Sequence, residues 1–331
     1  MPRKLFMLVA LVAAVGFAAP ASAAEKIVLR LAHGASPLHP FNELVEMFKR
    51  SVESKTDTVE IRIFGARQLG GDKQVLEGSI AGTIDCSEAS SVLYPLVVKK
   101  AAFDALQLPY LVNSYDNLGK MLSSETAMKM LASLDDVGLK GLSIGEAGQR
   151  HFLNRNGAVQ TLAGFKGLKT RIVPVPLHKA MWEAVGANPV GIAYGEVYTS
   201  MQTNVIDAVE FNISSIESEN LFEVAKDVSL TGHYFWPGVI ACNKAKFDSL
   251  PAEAQKAMID SGRQIIEPHV AYVKRHEKDA IARLEAKGVK IYPFDDLAQM
   301  QALMAPIVET WTAKDPLIGE YVAAARKLEG K

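Results

Sequence analysis

Alternating strand-like and helical patterns constrain the fold of this chain more than any other feature of its sequence. Residues 26–32, 58–64 and 82–90 are short runs rich in β-branched and apolar residues, as expected for strands. Between them, residues 41–51 and a second stretch containing Val75, Leu76 and Ile80 repeat apolar residues at helical spacing. This order indicates an α/β layer with a mostly parallel sheet.

The same alternation restarts in residues 138–192, which predicts a second α/β domain. A late apolar strand, residues 236–244, belongs to neither series by its position in the chain. We therefore predict two discontinuous domains. The first comprises residues 24–148 with 238–267, and the second comprises residues 149–237 with 268–331.

A long helical stretch follows the late strand. Pro251 is typical of a helix start and Gly288 of a helix stop. Pro268 lies inside the stretch and predicts a kink or break there, because proline cannot donate the helical hydrogen bond.

The first 23 residues have the pattern of a secretory signal peptide. Arg3 and Lys4 precede an apolar stretch, residues 5–17, and Ala21-Ser22-Ala23 gives a small-x-small cleavage site. The stretch is shorter than the roughly 20 residues that span a bilayer. We expect a periplasmic protein whose mature chain begins near Ala24. The full chain has a formal net charge of −1, which gives no indication of a nucleic-acid partner.

The chain has two cysteines, Cys86 and Cys242. An exported protein can form a disulfide. Each cysteine lies in a strand-like apolar run, and two cysteines so far apart in sequence do not require a bond. Buried free thiols are the expectation, with pairing left open.

Motifs for common catalytic and cofactor chemistry are missing or out of context. No two glycines are separated by a single residue, which excludes a G-x-G-x-x-G loop, and no C-x-x-C occurs. One G-x-S-x-G match centres on Ser143. A hydrolase nucleophile needs a strand-to-helix turn at the serine, but Ser143 lies inside a strand-like run. We expect no enzyme activity, no cofactor and no metal.

Two arginines, Arg171 and Arg150, are the strongest candidates for binding a ligand. Arg171 lies in an apolar strand, where a guanidinium is rarely buried without a partner. Arg150 follows the strand-like run that begins near Gly138. A guanidinium forms a planar fork that matches a carboxylate. Structural ion pairs are the alternative, but together the two arginines indicate a site for a small organic acid.

Further candidates follow apolar runs, where ligands of open α/β sheets bind. These are Glu88, Tyr194, Glu210, Phe211, Asn212 and Trp236. Packing is the alternative role for the aromatic residues, and a solvated turn is the alternative for the acids. His33 and His39 lie in one loop and can contact a ligand or a metal, although ordinary loop positions are the favoured interpretation.

Several motifs in fixed order make the mature chain resemble the solute-binding proteins of tripartite ATP-independent periplasmic (TRAP) transporters, of the C4-dicarboxylate-binding type. They include "LRLAHGASPLHP", "LQLPYLV", "GQRHFLN", "LAGFKGLKTRIV" and "VGANPVGIAYGEVYTSMQTNVIDAVEFN". The resemblance implies a two-domain clamshell, braced by a long helix, that closes on an organic acid and delivers it to a membrane permease.

The resemblance also implies roles for single residues. Arg171 occupies the position of the main bidentate carboxylate contact, Arg150 that of a second arginine, and Tyr194 a position that lines the pocket. The chain departs from the family where Phe211 follows the glutamate of "DAVE" and Asn212 comes next, so the polar partner there is open.

Several points stay open at the level of sequence. The ligand can be a C4-dicarboxylate, a sugar acid, a 2-oxo or 2-hydroxy acid or an aromatic acid, with or without a cation. An exported sensing protein that presents the acid to a receptor is an alternative. Another is an exported acid lyase or isomerase that uses Glu88, Glu210 or a histidine as base. Monomer and dimer are not distinguished.

Overall fold

A computed structural model describes residues 26–330 of the chain. The strands are β1 Ile27–His33, β2 Val59–Phe64, β3 Cys86–Ser90, β4 Leu139–Asn154, β5 Lys169–Ile172, β6 Asn188–Gly191, β7 Ala208–Asn212, β8 Asp227–Leu230, β9 Phe235–Asn243 and β10 Lys290–Pro293. The predicted signal segment, residues 1–23, lies outside the described residues.

Helices alternate with the strands along the chain. They are α1 Pro40–Glu53, α2 Asp72–Ala81, α3 Leu93–Val98, α4 Tyr115–Leu122, α5 Glu125–Ala132, α6 Pro176–Ala184, α7 Val197–Gln202, α8 Ile213–Ser218, α9 Lys244–Asp248, α10 Ala252–Gln264, α11 Ile266–Ala286, α12 Leu297–Thr312 and α13 Pro316–Glu329. None of the helices within residues 26–330 combines the length and apolar character needed to cross a bilayer.

The strands form a mixed sheet in the order β2-β1-β3-β9-β4-β7-β5-β6, with β8 paired to β4 and β10 paired to β8. Two groups within it are parallel, β2-β1-β3 and β6-β5-β7. Between the groups, β9 and β4 run antiparallel to their neighbours. The sheet is therefore less parallel than the alternation predicted, because the late strand β9 inserts between β3 and β4.

Strand β4 connects the two halves of the molecule. Its first part pairs with β9 as far as Gln149, and its last part pairs with β7 from Arg150 onward. Arg150 therefore lies within a continuous strand, not just beyond one as the sequence suggested. Ser143 also lies in β4, and its hydroxyl donates to the Gly262 carbonyl at 2.7 Å, as expected for a structural strand residue.

Helix α11 braces both halves. It packs against α1 and α4 on one side of the molecule and against α8 on the other. The predicted break falls at Ile265, where α10 ends and α11 begins, because Pro268 has no N–H to donate to the Gln264 carbonyl. The domain boundaries 24–148 with 238–267, and 149–237 with 268–331, stay a prediction. Helix α13, which belongs to the predicted second domain, packs against α4 and α5 of the predicted first domain.

The expectation of free thiols is wrong. Cys86 and Cys242 lie directly opposite each other on the antiparallel strands β3 and β9 and form a disulfide. Their separation of 156 positions in sequence gave no indication of this pairing, because only the insertion of β9 beside β3 makes the two cysteines neighbours. The bond ties the late strand to the first parallel group.

Candidate functional site

A cavity of about 230 Å³ lies between the two halves. Loops that follow the parallel strands of each half form its walls, which is where open α/β sheets bind small molecules. The first half contributes Gly34, Ala35, His39, Phe41, Arg67, Asp72 and Ser90; the second contributes Arg171, Val173, Pro174, Ala193 and Tyr194; and Trp236 lies on β9.

Arg171 reaches this cavity from β5, although only 1% of its surface is exposed. Its Nε donates to the Ile192 carbonyl at 2.9 Å, and its Cζ lies 5.2 Å from the centre of the Phe211 ring. Within residues 26–330, its Nη1 has no hydrogen-bond partner, and no carboxylate lies within ion-pair distance of the side chain. A buried guanidinium held by one carbonyl retains donors for an anion.

Burial lowers the pKa of Arg171 to about 10; the charge of Glu210 opposes this shift and that of Arg150 adds to it. The guanidinium is still protonated at neutral pH, so the cavity wall carries a positive charge. A carboxylate bound there would compensate for the loss of hydration.

Arg150 is equally buried but has a different environment. Its Nε donates to Glu210 Oε2 at 2.6 Å, Nη1 to Asn212 Oδ1 at 3.5 Å, and Nη2 to the Glu210 carbonyl. The sequence suggested two arginines aimed at one anion. In the structure, however, a protein carboxylate pairs with Arg150, because β4 and β7 bring these residues together across adjacent strands.

Glu210 lies at the centre of a buried polar cluster. Tyr234 donates its hydroxyl to Glu210 Oε2 at 2.9 Å, His233 Nε2 lies 3.7 Å from Oε2, and His178 Nδ1 lies 4.0 Å from Oε1. Burial by itself would raise the pKa of Glu210, but the charge of Arg150 and hydrogen bonding lower it below its ordinary value. Glu210 is therefore a buried carboxylate anion and an unsuitable general base.

Aromatic rings separate and support the two guanidinium groups. Phe211 is fully buried, with its ring centre 4.9 Å from Arg150 Cζ, and Tyr194 stacks on it at 5.4 Å between ring centres. Trp236 covers the Arg150 guanidinium at 4.1 Å from Cζ to ring centre. Tyr194 and Trp236 reach the cavity, whereas Phe211 is not among its lining residues.

Asn212 is held by protein groups. Its Nδ2 donates to the Ala147 carbonyl at 2.6 Å, and its Oδ1 accepts from the Ser215 hydroxyl at 2.7 Å. These bonds position Asn212 at the start of α8, behind the cavity wall. Direct contact of Asn212 with a ligand stays a prediction.

Glu88 and His33 lie side by side on the parallel strands β3 and β1. Both are buried, and neither lines the cavity. Burial raises the pKa of Glu88 well above its ordinary value and lowers that of His33 to about 4. His33 is therefore expected to be neutral at pH 7, and the predicted contact of both residues with a ligand stays a prediction.

Several polar residues of the first wall were missed from the sequence. The cavity is lined there by Arg67, Asp72, Lys73, Gln74 and Ser90. Asp72 Oδ2 accepts from the Ser90 backbone N–H at 3.4 Å, and burial raises the pKa of Asp72 above its ordinary value. The available signal was the position of Arg67 in the glycine-containing loop after β2, and of Asp72 at the start of the helix that follows this loop.

This geometry, with two halves joined by shared strands and a cationic cavity between them, is that of a binding protein. Residues 31–315 match the family model described as bacterial extracellular solute-binding protein, family 7. A curated relative, the 2,3-diketo-L-gulonate-binding periplasmic protein YiaO of Escherichia coli K12, is 31% identical over 76% of this chain and 74% of its own length.

Solved structures give the same result. A TRAP periplasmic solute-binding protein from Chromohalobacter salexigens with bound D-glucuronate has a TM-score of 0.83 and 27% identity, covering 90% of this chain and 99% of its own. One from Sulfitobacter sp. NAS-14.1 with bound β-D-galacturonate has a TM-score of 0.83 and 26% identity, covering 91% and 100%.

The chain belongs to family 7 of the bacterial extracellular solute-binding proteins, the binding proteins of TRAP transporters. The two-domain clamshell expected from the sequence is confirmed. Its relatives are transport proteins rather than enzymes, which argues against the lyase or isomerase alternative.

Proposed function

We propose that this protein captures a hydroxylated monocarboxylic acid of the sugar-acid class in the cavity between its halves and delivers it to a TRAP-type permease. Arg171 carries the proposal, since it is a buried cation at the cavity wall that keeps free donors. A carboxylate of the ligand would accept from this guanidinium, and charged hydrogen bonds of this kind contribute about 1.5–3 kcal/mol each.

The opposite wall favours hydroxyl groups over a second carboxylate. The Asp72 carboxyl can accept from ligand hydroxyls, and Ser90 and His39 lie nearby in the lining. A second anionic group beside Asp72 would be repelled unless one of the two took up a proton. The cations that line this wall are already paired, Arg67 with Glu219 and Lys73 with Glu77. Glucuronate and galacturonate, which two of the similar structures hold, have one carboxylate and several hydroxyls.

Closure follows from contacts to both halves. A ligand that touches Arg171 on one wall and Asp72 on the other interacts more strongly with the closed form, and only such a difference shifts the equilibrium toward closure. The permease would recognise the closed form.

Export by a cleaved signal peptide is part of the proposal. Mass spectrometry of the exported protein tests it and should show a mature N-terminus near Ala24.

The direct test is a thermal-shift screen of the mature protein, followed by calorimetry on the compounds that raise the melting temperature. D-Glucuronate, D-galacturonate, D-galactonate, succinate and D-glucose form the panel. Saturation at 100 times Kd adds about 2.7 kcal/mol of stability. The sugar acids should raise the melting temperature most and glucose not at all. Stabilisation by glucose equal to that by the acids would contradict the carboxylate site.

A further inference from the structure

Direct side-chain contacts join the two walls of the cavity, one from each half of the molecule. The loop after β2 carries Arg67, and its side chain crosses to the second half, where Nη2 lies 2.8 Å from Glu219 Oε2 just beyond α8. The Arg67 Cζ also lies 5.5 Å from the centre of the Tyr194 ring, which belongs to the second half. This ion pair uses none of the donors of Arg171.

The backbone of the first half is shaped to present Arg67. Ala66 and Arg67 have φ angles of 51° and 64°, a left-handed conformation that two successive non-glycine residues rarely adopt. Ala66 N–H donates to the Ala35 carbonyl at 2.8 Å, and Arg67 Nη1 donates to the Gly34 carbonyl at 3.0 Å. Backbone conformations of this kind persist when the surroundings fix them, and they concentrate at functional positions.

The second half leaves space for the arginine. A Cβ atom at Gly195 would lie 3.4 Å from Arg67 Cδ, so a larger side chain at this position would meet the arginine stem. Glu219 is itself mostly buried, with 13% of its side chain exposed, whereas 34% of the Arg67 side chain is exposed. A partly buried pair is screened less by salt than a surface pair.

Two neutral hydrogen bonds lie along the same edge. His39 Nδ1 accepts from the Phe41 backbone N–H, so its Nε2 carries the hydrogen and donates to the Ser215 hydroxyl at 3.0 Å. The Ser36 hydroxyl donates to the Ser218 carbonyl at 3.4 Å. All these contacts join the loops after β1 and β2 to α8 and Glu219.

We propose that Arg67 and Glu219 form a latch that stabilises the closed clamshell without contacting the ligand's carboxylate, and so slows release of the bound acid. The inference deepens the proposed function, since it assigns the rate of release to a pair of side chains separate from Arg171. The latch stabilises the closed form but is not needed for the encounter with the ligand. Its loss should therefore change the dissociation rate constant more than the association rate constant.

The test compares Glu219→Ala with Glu223→Ala. Glu223 is a matched control, because it is an exposed carboxylate four residues further on that contacts Tyr198 within the same half. Stopped-flow binding of D-glucuronate should show dissociation faster by about threefold to fivefold for Glu219→Ala, with association changed less than about twofold. Glu223→Ala should match the wild type. Unchanged or slower dissociation for Glu219→Ala would overturn the latch.

A double-mutant cycle separates the latch from other effects of Arg67. Arg67→Ala with Glu219→Ala should release the acid no faster than the faster single variant, because the two residues act as one unit. Additive effects of the two substitutions on the dissociation rate constant would contradict the pair.

If wild-type protein binds none of the panel acids, the proposed ligand class fails, and small-angle scattering of ligand-free protein then decides on the latch. A larger radius of gyration for Glu219→Ala than for Glu223→Ala supports it, and equal radii overturn it.

Discussion

The regions around Arg150 and Arg171 contain the same cation at the same depth, and they differ in what surrounds it. Each arginine has 1% of its surface exposed, and each lies against the Phe211 ring. Arg150 has a carboxylate, a backbone carbonyl and an amide oxygen as partners. Arg171 has one carbonyl, from Ile192.

The two arginines therefore differ in their partners and not in their burial. Glu210 pairs with Arg150 inside the fold, and contact of Arg150 or Glu210 with a ligand stays a prediction. Arg171 retains hydrogen-bond donors beside the cavity, so its charge is available to an anion. The comparison predicts opposite responses when either arginine is replaced.

The largest expected effect follows replacement of Arg150. Arg150→Met removes the cation and leaves the Glu210 carboxylate buried without its main partner. Breaking a buried pair in this way costs about 3–5 kcal/mol. Chemical denaturation should therefore show a decrease of that size in the free energy of unfolding.

The double variant Arg150→Met with Glu210→Gln is the control, because it removes both charges. It should regain a large part of the lost stability, since the buried unpaired charge is the main cause of the loss. A single Arg150→Met variant as stable as the wild type would mean that Arg150 is not a structural residue.

The second effect concerns Arg171. Arg171→Ala should weaken binding of the best sugar acid by about 2 kcal/mol or more, roughly 30-fold in Kd, because the carboxylate loses its charged donors. The free energy of unfolding should change by less than about 1 kcal/mol, since no protein carboxylate loses a partner. Calorimetry and chemical denaturation measure the two quantities.

Arg155→Ala provides the matched control for this experiment. Arg155 lies just beyond β4, donates to the Met201 carbonyl at 3.3 Å and does not line the cavity. Its replacement should leave Kd unchanged. If Arg171→Ala binds the acid as tightly as the wild type does, the carboxylate contact is located elsewhere.

The features that could be predicted from the sequence are those that depend on neighbouring residues within a short segment. Arg171 stands in a short apolar strand, and a guanidinium among apolar neighbours requires a partner, whatever the rest of the chain does. The strand–helix alternation likewise depends on periodicity within short segments, so the strands β1, β2 and β5 were found near their observed positions.

The part that sequence reasoning missed depends on neighbours distant in the chain. Glu210 is 60 residues from Arg150, and Glu219 is 152 residues from Arg67. Each pair forms only because two strands or two loops meet in the folded molecule. Nothing in the residue types indicated that Glu210 pairs with Arg150, because a carboxylate is equally compatible with an ion pair inside the protein and with a contact to a ligand.

The smallest expected effect is the pH dependence of stability in the region around Arg150. Burial lowers the pKa of His178 from its ordinary value of 6.5 to about 3, opposed by Glu210 and reinforced by Arg150, Arg171 and His233. Below pH 6.5 the unfolded chain takes up a proton at this histidine and the folded protein does not. The stability that a neutral His178 provides is therefore complete above this pH and decreases as pH falls.

His178→Gln isolates this contribution, because glutamine does not titrate. Burial raises the pKa of Glu88 and of Glu146, which acts on stability in the opposite direction, so the difference between wild type and variant is the informative quantity. That difference in the free energy of unfolding should shift against the wild type by about 1 kcal/mol between about pH 6.5 and about pH 5.5. Over the same range Kd for the acid should stay constant, because Arg171 keeps its charge. A stability difference that stays constant over this range would contradict the lowered pKa of His178. A Kd that changes tenfold would show that pH also acts on the Arg171 site.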